Sequence, residues 1–405
     1  MGFFSHRYCA LSFVGLGLSL WLASCGPTQP IAEIATPTTA ACVENYDPAA
    51  DYFPDKVTPE FATGFRVEYY NHYKVVTVRQ PWETARRDLT YVFVQCGTPI
   101  PEDYPGATIV EVPVNRVIAL STTYLPHLDV LGHLENLIGV GDRQLIYSPE
   151  IRAAIEAGAI KEVGNLQLDR EAMLSLQPDV ILNYRLDASE GNNTSALDSL
   201  GLTVVLDAAH LEPTPLGRAE WLKFTALLFN EEKNANEIFG AIANRYQALV
   251  NQVQDLETTP TVLSGSPYQG VWYVPGGESY VAQLFRDANV NYPWAETKAR
   301  LSLPLDFEAV LNRAKDADLW LNVNPDWQTT ANIFQEDQRY TLFTAAQKQQ
   351  VYAANKRVFP GGGNDFWEGG TLNPDVVLAD VIKIAHPDQL PDHELFYYHH
   401  LSDSP

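Results

Sequence analysis

Leu168–Tyr184 reads LDREAMLSLQPDVILNY, and Leu305–Asn322 repeats the pattern as LDFEAVLNRAKDADLWLN. Each copy opens with Leu-Asp, places a glutamate two residues later, and continues through a short amphipathic segment into an apolar run, VILN or LWLN. A helix that leads into a short apolar strand is typical of a buried parallel sheet. Because the pattern occurs twice, it predicts two α/β lobes of similar design. The alternative is two ordinary helix–strand units that share a few letters by chance.

The composition fits a globular protein of two or more domains. The chain has 405 residues, of which 46% are hydrophobic and 19% are charged. Its formal net charge is −23. General nucleic-acid binding needs a basic surface that replaces counterions, so this charge argues against nucleic acid as a partner.

The first 24 residues have the features of a secretory signal. His6 and Arg7 precede an apolar run, Cys9–Leu22, that is too short to span a membrane comfortably. The letters LASC, which end at Cys25, resemble the bacterial lipobox, in which the cysteine becomes the lipidated first residue. We therefore expect lipidation of Cys25 and a location at the periplasmic face of the cell membrane. An uncleaved anchor helix is the alternative.

Two further cysteines, Cys42 and Cys96, follow the predicted lipidation site. An even pair in an oxidising compartment predicts a disulfide between them. Residues 25–41 contain the lipidated cysteine and a Pro- and Thr-rich stretch without periodicity, which predicts a flexible tether.

The rest of the chain divides into four predicted regions. Residues 42–113 alternate β-branched and aromatic residues with polar ones, which predicts a β-rich extension packed on the first lobe. Residues 114–212 alternate strand and helix patterns and form the predicted N-terminal α/β lobe. Within residues 213–257, apolar residues recur at spacings of three and four, which predicts a linker helix with a possible break at Asn230. Residues 258–405 form the predicted C-terminal α/β lobe, which ends in a helix and a strand.

Candidate ligand-binding residues follow from the predicted strand ends, because open α/β sheets bind ligands outside the carboxyl ends of their strands. They are Thr122, Thr123, Arg143, Tyr184 and Arg185 in the first lobe and Tyr268, Trp272, Trp327, Asn364, Phe366 and Trp367 in the second. Aromatic faces suit a large ligand, and arginines suit carboxylate or other anionic oxygen atoms. Core packing is the alternative for each aromatic residue, and an ion pair is the alternative for each arginine.

The motifs of common enzyme classes are missing from the sequence. It contains no nucleophile elbow, no HExxH pair and no phosphate loop, and its nine histidines are scattered, so we expect neither catalysis nor a metal site. Glu171 and Glu308 could serve acid–base chemistry. Each is expected at a helix start, however, on the side of its unit away from the strand ends. Two outward-facing carboxylates on separate lobes indicate docking contacts instead.

Taken together, these features resemble the periplasmic binding proteins for iron–siderophores, haem and cobalamin. The resemblance covers roughly Arg116–Pro387 and depends on the lipobox, on RVIALSTTYLPHLDVLGHLENLIGVGD, on the first repeat unit and on the long helix. It implies two lobes joined by one rigid helix, a ligand held in the cleft between them, and delivery to the permease and ATPase of an ABC importer. In that family one glutamate on each lobe docks on permease arginines, and Glu171 and Glu308 occupy those motif positions.

The ligand implied by this resemblance is a ferric siderophore, bound by a monomer that needs no cofactor beyond its lipid. Cobalamin or haem is the alternative within the same class, and haem would favour an axial ligand such as Tyr184, Tyr268 or His127. A structural or enzymatic protein on the same fold is the third hypothesis. Two departures from the family are the long extension at 42–113 and the stretch RAKDAD at Arg313–Asp318, which replaces Leu-x-Pro-Asp in the second repeat.

Overall fold

The structure is a computed structural model that describes residues 42–165, 167–185 and 196–402. The predicted signal sequence, the lipidation site Cys25 and the predicted tether lie outside the described residues. Within the described part, no helix is both long enough and apolar enough to cross a membrane. The described residues form four β-sheets with helices packed around them.

The extension at residues 42–113 folds as a four-stranded sheet with the order β1-β2-β3-β4. Its strands are β1 (Phe65–Tyr69), β2 (Tyr73–Val78), β3 (Leu89–Gln95) and β4 (Thr108–Val112). The first three strands are antiparallel, and β4 pairs with β3 in parallel. The structure joins Cys42 and Cys96, the predicted pair, in a disulfide that ties the start of this region to the residue after β3.

The extension and the N-terminal lobe share one hydrophobic core, in which Val76 of β2 and Val117 of the lobe both take part. A buried charge also joins the extension to the helices that follow the lobe. The ammonium group of Lys74, which is 0% exposed, donates hydrogen bonds to the carboxylate of Glu232 and to the carbonyl oxygen of Leu227, each at 2.7 Å. Because a buried ammonium group is costly without such partners, these bonds fix the extension in place.

The N-terminal lobe contains an all-parallel sheet with the order β7-β6-β5-β8-β9. Its elements are β5 (Val117–Ala119), α1 (Leu125–Val130), β6 (Leu137–Val140), α2 (Pro149–Glu156), β7 (Lys161–Glu162), α3 (Arg170–Leu176), β8 (Val180–Asn183) and β9 (Val204–Leu206). Every residue of β5 and β9 is buried, as expected for parallel strands that are covered on both faces.

Three helices replace the single long helix predicted after this lobe. They are α4 (Pro215–Ala219), α5 (Trp221–Ala226) and α6 (Glu232–Val253). The chain breaks before α6 at Asn230, whose φ of 60° lies in the left-handed region that interrupts a right-handed helix. The possible break named from the sequence is therefore real, and α6 is the only one of the three with more than two turns.

The C-terminal lobe contains two sheets. Its strands are β10 (Val262–Ser264), β11 (Pro267–Tyr268), β12 (Val271–Pro275), β13 (Ser302–Leu305), β14 (Leu319–Leu321), β15 (Val351–Ala353) and β16 (His399–His400), and its helices are α7 (Tyr280–Asp287), α8 (Phe307–Ala314), α9 (Thr330–Glu336), α10 (Thr344–Gln347) and α11 (Pro374–Ala385). The order β10-β14-β15-β16 is parallel except for β16, whereas β11-β12-β13 is antiparallel. An ion pair between Arg245 of α6 and Asp375 of α11, at 2.6 Å, ties the lobe to the connecting helix.

Both copies of the sequence repeat form the predicted helix–strand unit, α3–β8 and α8–β14. The aspartate of each Leu-Asp pair caps its helix. The carboxylate of Asp169 accepts a hydrogen bond from the backbone of Ala172 at 2.9 Å, and that of Asp306 accepts one from Ala309 at 2.7 Å. The repeated letters therefore specify helix starts, because a side-chain acceptor satisfies a backbone donor that the helix itself leaves free.

Candidate functional site

Two of the tryptophans predicted to bind ligand lie in the core of the C-terminal lobe. Trp272 is 0% exposed and stacks on Trp320 at 5.6 Å between ring centroids, and Trp327 is 3% exposed and packs edge-on against the same ring. This burial contradicts a role in lining an open cleft. Trp272 lies inside β12, where alternate side chains point into the lobe, and was wrongly placed at a strand end.

The other candidates of the C-terminal lobe are dispersed. Phe366 is buried at 8% exposure, and the side chain of Asn364 braces its own loop by donating to the carbonyl oxygen of Ala354 at 2.8 Å. Tyr268 and Trp367 are 67% and 53% exposed. The structure does not bring these four side chains together around one cavity.

In the N-terminal lobe, the residues after β5 and β6 form local contacts. The hydroxyl of Thr123 bonds to that of Ser121 at 2.9 Å, and Thr122 begins a short 3-10 turn beside it. Arg143 forms an ion pair with Glu156 of α2. The alternative interpretation of Arg143 as a structural ion pair is therefore supported.

Tyr184 and Arg185 follow β8 and face the extension and the residues after β9. The Tyr184 ring meets the ring of His210 edge-on at 5.8 Å, and the Arg185 guanidinium lies 3.8 Å from the centroid of the Trp82 ring. Tyr184 therefore contacts a residue, His210, that lines a cavity between the lobes.

A cavity of about 350 Å³ lies between the extension, the N-terminal lobe and the C-terminal lobe. It is lined by Thr63, Gly64, Arg79, Gln80 and Glu83 of the extension, by Ala208, His210, Leu211, Glu212 and Arg218, and by Pro275, Ser279, Tyr280, Val281, Arg300, Leu301 and Ser302 of the C-terminal lobe. None of the eleven predicted ligand-binding residues is among them. The volume is at the lower end of the range of small-molecule pockets.

Arg218 of α4 lies where the two lobes meet. Its guanidinium stacks on the ring of Tyr280, 3.8 Å from the centroid, and donates to the carbonyl oxygen of His210 at 2.8 Å. Burial lowers the pKa of Arg218, while the charges of Asp207 and Glu212 oppose that shift. The planar, positively charged guanidinium of Arg218 and the ring of Tyr280 therefore line the cavity together. This arrangement suits an anionic or aromatic ligand.

Two titratable groups beside Arg218 have strongly shifted pKa values. Burial raises the pKa of Asp207 to about 7, against hydrogen bonds from Ala209 and Tyr124 and the charge of Arg218. Burial and the charge of Arg218 lower the pKa of His210 to about 4, so its imidazole is neutral near pH 7. Shifts of this kind are common at functional sites. Here His210 lines the cavity, and Asp207 directly precedes the lining residue Ala208.

The lobes also touch on a second side, through Glu368. Its buried carboxylate accepts hydrogen bonds from the backbone of Tyr147 at 2.7 Å and Ser148 at 3.0 Å, just before α2. Burial raises the pKa of Glu368 to about 7, although those two backbone donors oppose the shift. This contact holds the N-terminal and C-terminal lobes together away from the arginine-lined cavity.

The positions of Glu171 and Glu308 differ in one respect from the prediction. Both are exposed and lie in the first turn of a helix, as expected. However, α3 ends where Arg116, which precedes β5, donates to the carbonyl oxygen of Leu176. Helix α3 therefore starts at the carboxyl edge of the parallel sheet, so Glu171 is on the same side as the strand ends and not on the opposite side.

Among residues 42–165, 167–185 and 196–402, no three His, Cys, Asp or Glu side chains are grouped as a metal site. His127, named from the sequence as a possible haem ligand, is 4% exposed and bonds through Nδ1 to the hydroxyl of Thr225 at 2.9 Å. It lies inside the N-terminal lobe and does not line the cavity.

The burial of His127 predicts an acid-sensitive stability. Burial lowers its pKa to about 4 from an ordinary value of 6.5. Between those two pH values the unfolded chain binds a proton that the folded chain does not, so stability falls as the pH drops through that window. For this group alone the free energy of unfolding should fall by about 1.4 kcal/mol per pH unit. Urea denaturation at several pH values should show this slope reduced in His127→Gln.

Thr225→Val is the matched control, because it removes the hydrogen-bond partner without removing the titrating group. It should shift the free energy of unfolding by a similar amount at every pH. An unchanged slope in His127→Gln would contradict the assignment of a neutral, buried imidazole.

The sequence pattern of the periplasmic binding protein family matches residues 117–358, which is more than half of the chain. The chain belongs to this family. Periplasmic binding proteins are extracytoplasmic solute-binding components of ABC transporters and not a class of enzymes. The matched region contains both repeat units, so the family predicted from the sequence is confirmed.

The chain is also similar to curated relatives and to solved structures. An uncharacterized lipoprotein of Methanocaldococcus jannaschii is 28% identical over 302 residues, which cover 72% of this chain and 69% of the relative. An ABC-type Fe³⁺-hydroxamate transport protein from Saccharomonospora viridis matches at a TM-score of 0.51 and 20% identity, over 67% of this chain and 93% of its own. A periplasmic haem-binding protein of Vibrio cholerae matches at a TM-score of 0.50 and 16% identity, over 65% of this chain and 98% of its own. These structures support the two-lobed α/β fold, and the predicted fold class is confirmed.

Three arginines that line the cavity of this periplasmic binding protein were not predicted from the sequence. The binding residues predicted from strand ends all lie in the two lobes, whereas Arg79 lies in the extension, directly after β2. Strand ends could not indicate Arg218, which lies inside a predicted helix, or Arg300, which precedes β13 instead of following a strand. The sequence predicted Arg143 and Arg185 as binding residues, whereas the arginines that line this cavity are Arg79, Arg218 and Arg300.

Proposed function

We propose that this periplasmic binding protein is lipid-anchored through Cys25 and captures a ferric siderophore in the cavity between its lobes. The observation that supports the ligand class is the lining of that cavity by Arg79, Arg218 and Arg300 together with the ring of Tyr280. Guanidinium groups suit the anionic oxygen atoms that a chelate presents, and the aromatic face suits its organic scaffold. The relatives described as lipoproteins support the proposed anchor.

Delivery to the permease of an ABC importer is part of the same proposal, with Glu171 and Glu308 as the docking residues. Each is exposed at the first turn of the equivalent helix of its lobe. The domain boundaries given from the sequence stay a prediction.

Haem is the second candidate ligand, and one residue favours it. His210 lines the cavity, and its lowered pKa keeps the imidazole neutral near pH 7, which is the form that binds iron. The Vibrio cholerae protein of similar fold is described as a haem-binding protein.

Calorimetric titration of the full chain with ferric siderophores, haem, cobalamin and bare ferric iron tests these candidates. Saturable one-to-one binding of a siderophore, and of nothing else, is the expected result. A shifted haem absorbance band that is lost in His210→Ala would establish the second candidate instead. Absence of binding by all four, with the protein shown to be folded, would contradict both.

A further inference from the structure

One wall of the interlobe cavity comes from the extension, outside the region that matches the family. Thr63, Gly64, Arg79, Gln80 and Glu83 all precede residue 117, where the match begins. The cavity thus has three walls, one from the extension and one from each lobe. Residues outside the region that matches the family are therefore placed at the proposed site.

The extension wall is held firmly against the N-terminal lobe. The buried carboxylate of Glu212 accepts hydrogen bonds from the backbone of Thr63 at 3.0 Å and of Gly64 at 2.8 Å. Gly64 packs so closely on Trp221 that an added Cβ would lie 2.8 Å from its ring. The backbone of Arg79 in turn donates to the carbonyl oxygen of Gly64 at 2.7 Å. This chain of contacts fixes the point from which the Arg79 side chain extends.

The facing wall is fixed in a similar way. The backbone of Gly276 donates to the carbonyl oxygen of Leu301 at 3.0 Å, and that of Glu278 donates to Ala299 at 2.9 Å. These bonds flank Arg300 on both sides. The adjacent amino end of α7, capped by Ser279, also lines the cavity and adds partial positive charge.

Two of the three arginines that line the cavity, Arg79 and Arg300, have no side-chain partner in the described part of the chain. Within the part of the chain that the structure describes, Arg79, Arg218 and Arg300 form no ion pair, and the exposed side chains of Arg79 and Arg300 form no hydrogen bond. Two carboxylates also line the cavity. That of Glu212 accepts hydrogen bonds from the backbone of Thr63 and Gly64 and from the indole of Trp221, and that of Glu83 is exposed. The lining therefore contains three arginines and two carboxylates, and this excess of positive charge around one cavity, in a chain of net charge −23, indicates a negatively charged ligand.

We propose that the extension is a structural part of the ligand site and that Arg79 and Arg300 bind anionic oxygen atoms of the ligand from opposite walls. Arg79 comes from a region that the family pattern does not include, so it is a specificity-determining residue of this chain. The consequence is selection of a negatively charged chelate over an uncharged one. This inference depends on the proposed function, since it narrows the ligand of the same cavity.

The test compares two ferric chelates, a negatively charged tris-catecholate and an uncharged tris-hydroxamate, by calorimetric titration of the full chain. The wild type should bind the tris-catecholate at least about tenfold more tightly. Arg79→Gln and Arg300→Gln should each weaken the binding of the tris-catecholate by about tenfold and leave the affinity for the tris-hydroxamate nearly unchanged. Added salt should weaken the binding of the tris-catecholate more in the wild type than in either variant.

Matched controls exist on both walls. Arg87→Gln changes an exposed arginine of the same β2–β3 connection that does not line the cavity, and Lys298→Gln changes a side chain 90% exposed near Arg300. Both should bind the tris-catecholate within about twofold of the wild type. Because all four positions are exposed, the variants should share the wild-type melting temperature.

If the wild type binds the tris-catecholate tightly and Arg79→Gln binds it equally well, the inference is overturned while the proposed function stands. Preferential binding of the uncharged chelate would also overturn it. Failure of the wild type to bind any ferric chelate would overturn the proposed function itself, so the two failures are distinguishable.

Discussion

Glu220→Ala is expected to lower the free energy of unfolding by about 3–5 kcal/mol. Glu220 is 0% exposed, and its carboxylate accepts hydrogen bonds from the backbone of Glu60, Phe61 and Ala62 at 2.7–2.9 Å. It also pairs with the ammonium group of Lys223 at 2.7 Å, and Lys223 is itself 3% exposed. Removal of the carboxylate leaves three backbone donors and a buried charge without their main acceptor. Urea denaturation measures the loss directly.

Two variants check that the effect comes from the carboxylate. Glu220→Gln keeps the size of the side chain but replaces one acceptor oxygen with a donor, so it should also destabilise the fold. Glu237→Ala removes an exposed glutamate of α6 and should change the free energy of unfolding by less than about 0.5 kcal/mol. A Glu220→Gln variant as stable as the wild type would contradict the proposed role of these hydrogen bonds in holding the extension.

Trp320→Ala should cost about 3–5 kcal/mol of stability, since it opens a cavity at the centre of the C-terminal lobe. Trp320 is 0% exposed, stacks on Trp272, and packs against Tyr340 and Phe343 with ring centroids 5.6 and 5.3 Å away. Its Nε1 donates to the carbonyl oxygen of Gly265 at 2.7 Å. Chemical denaturation, followed by far-UV circular dichroism, should show an early transition.

Trp320→Phe retains most of the ring packing but loses the bond to Gly265, so its stability should lie between those of the wild type and the alanine variant. Trp367→Ala is the matched control, because Trp367 is 53% exposed. Equal stability losses for Trp320→Ala and Trp367→Ala would mean that the aromatic cluster is not the core of this lobe.

The repeated Leu-Asp-x-Glu pattern allowed much of the fold to be predicted, because its information is local. Asp169 and Asp306 cap helices within three residues, and the following apolar runs form strands that are buried within their own lobes. Helix caps and strand patterns of this kind depend on neighbours in sequence. The family and the α/β fold class followed from them.

The binding site could not be predicted as well, because its residues meet only after the lobes and the extension have packed. Trp272 and Tyr273 are neighbours in β12, yet the first is 0% exposed and the second 46% exposed. Which of them faces the core is set by the partner strand β13 and not by composition. Arg79 and Arg300 are 221 positions apart and both line the cavity. The carboxylates of Glu212 and Glu220 help to position the extension by accepting hydrogen bonds from the backbone of Gly64 and Phe61.

The central claim, that ligand binds between the lobes in the arginine-lined cavity, is tested most directly by filling that cavity. Leu301 lines it and is 44% exposed, so Leu301→Trp should be accommodated by the fold while it obstructs the cavity. Leu342→Trp, at a position 52% exposed and outside the cavity, is the control. Titration of the full chain with the ferric tris-catecholate should show binding weakened by at least about tenfold in Leu301→Trp and unchanged in Leu342→Trp. Wild-type affinity in a correctly folded Leu301→Trp protein would contradict the claim, since the ligand would then bind elsewhere.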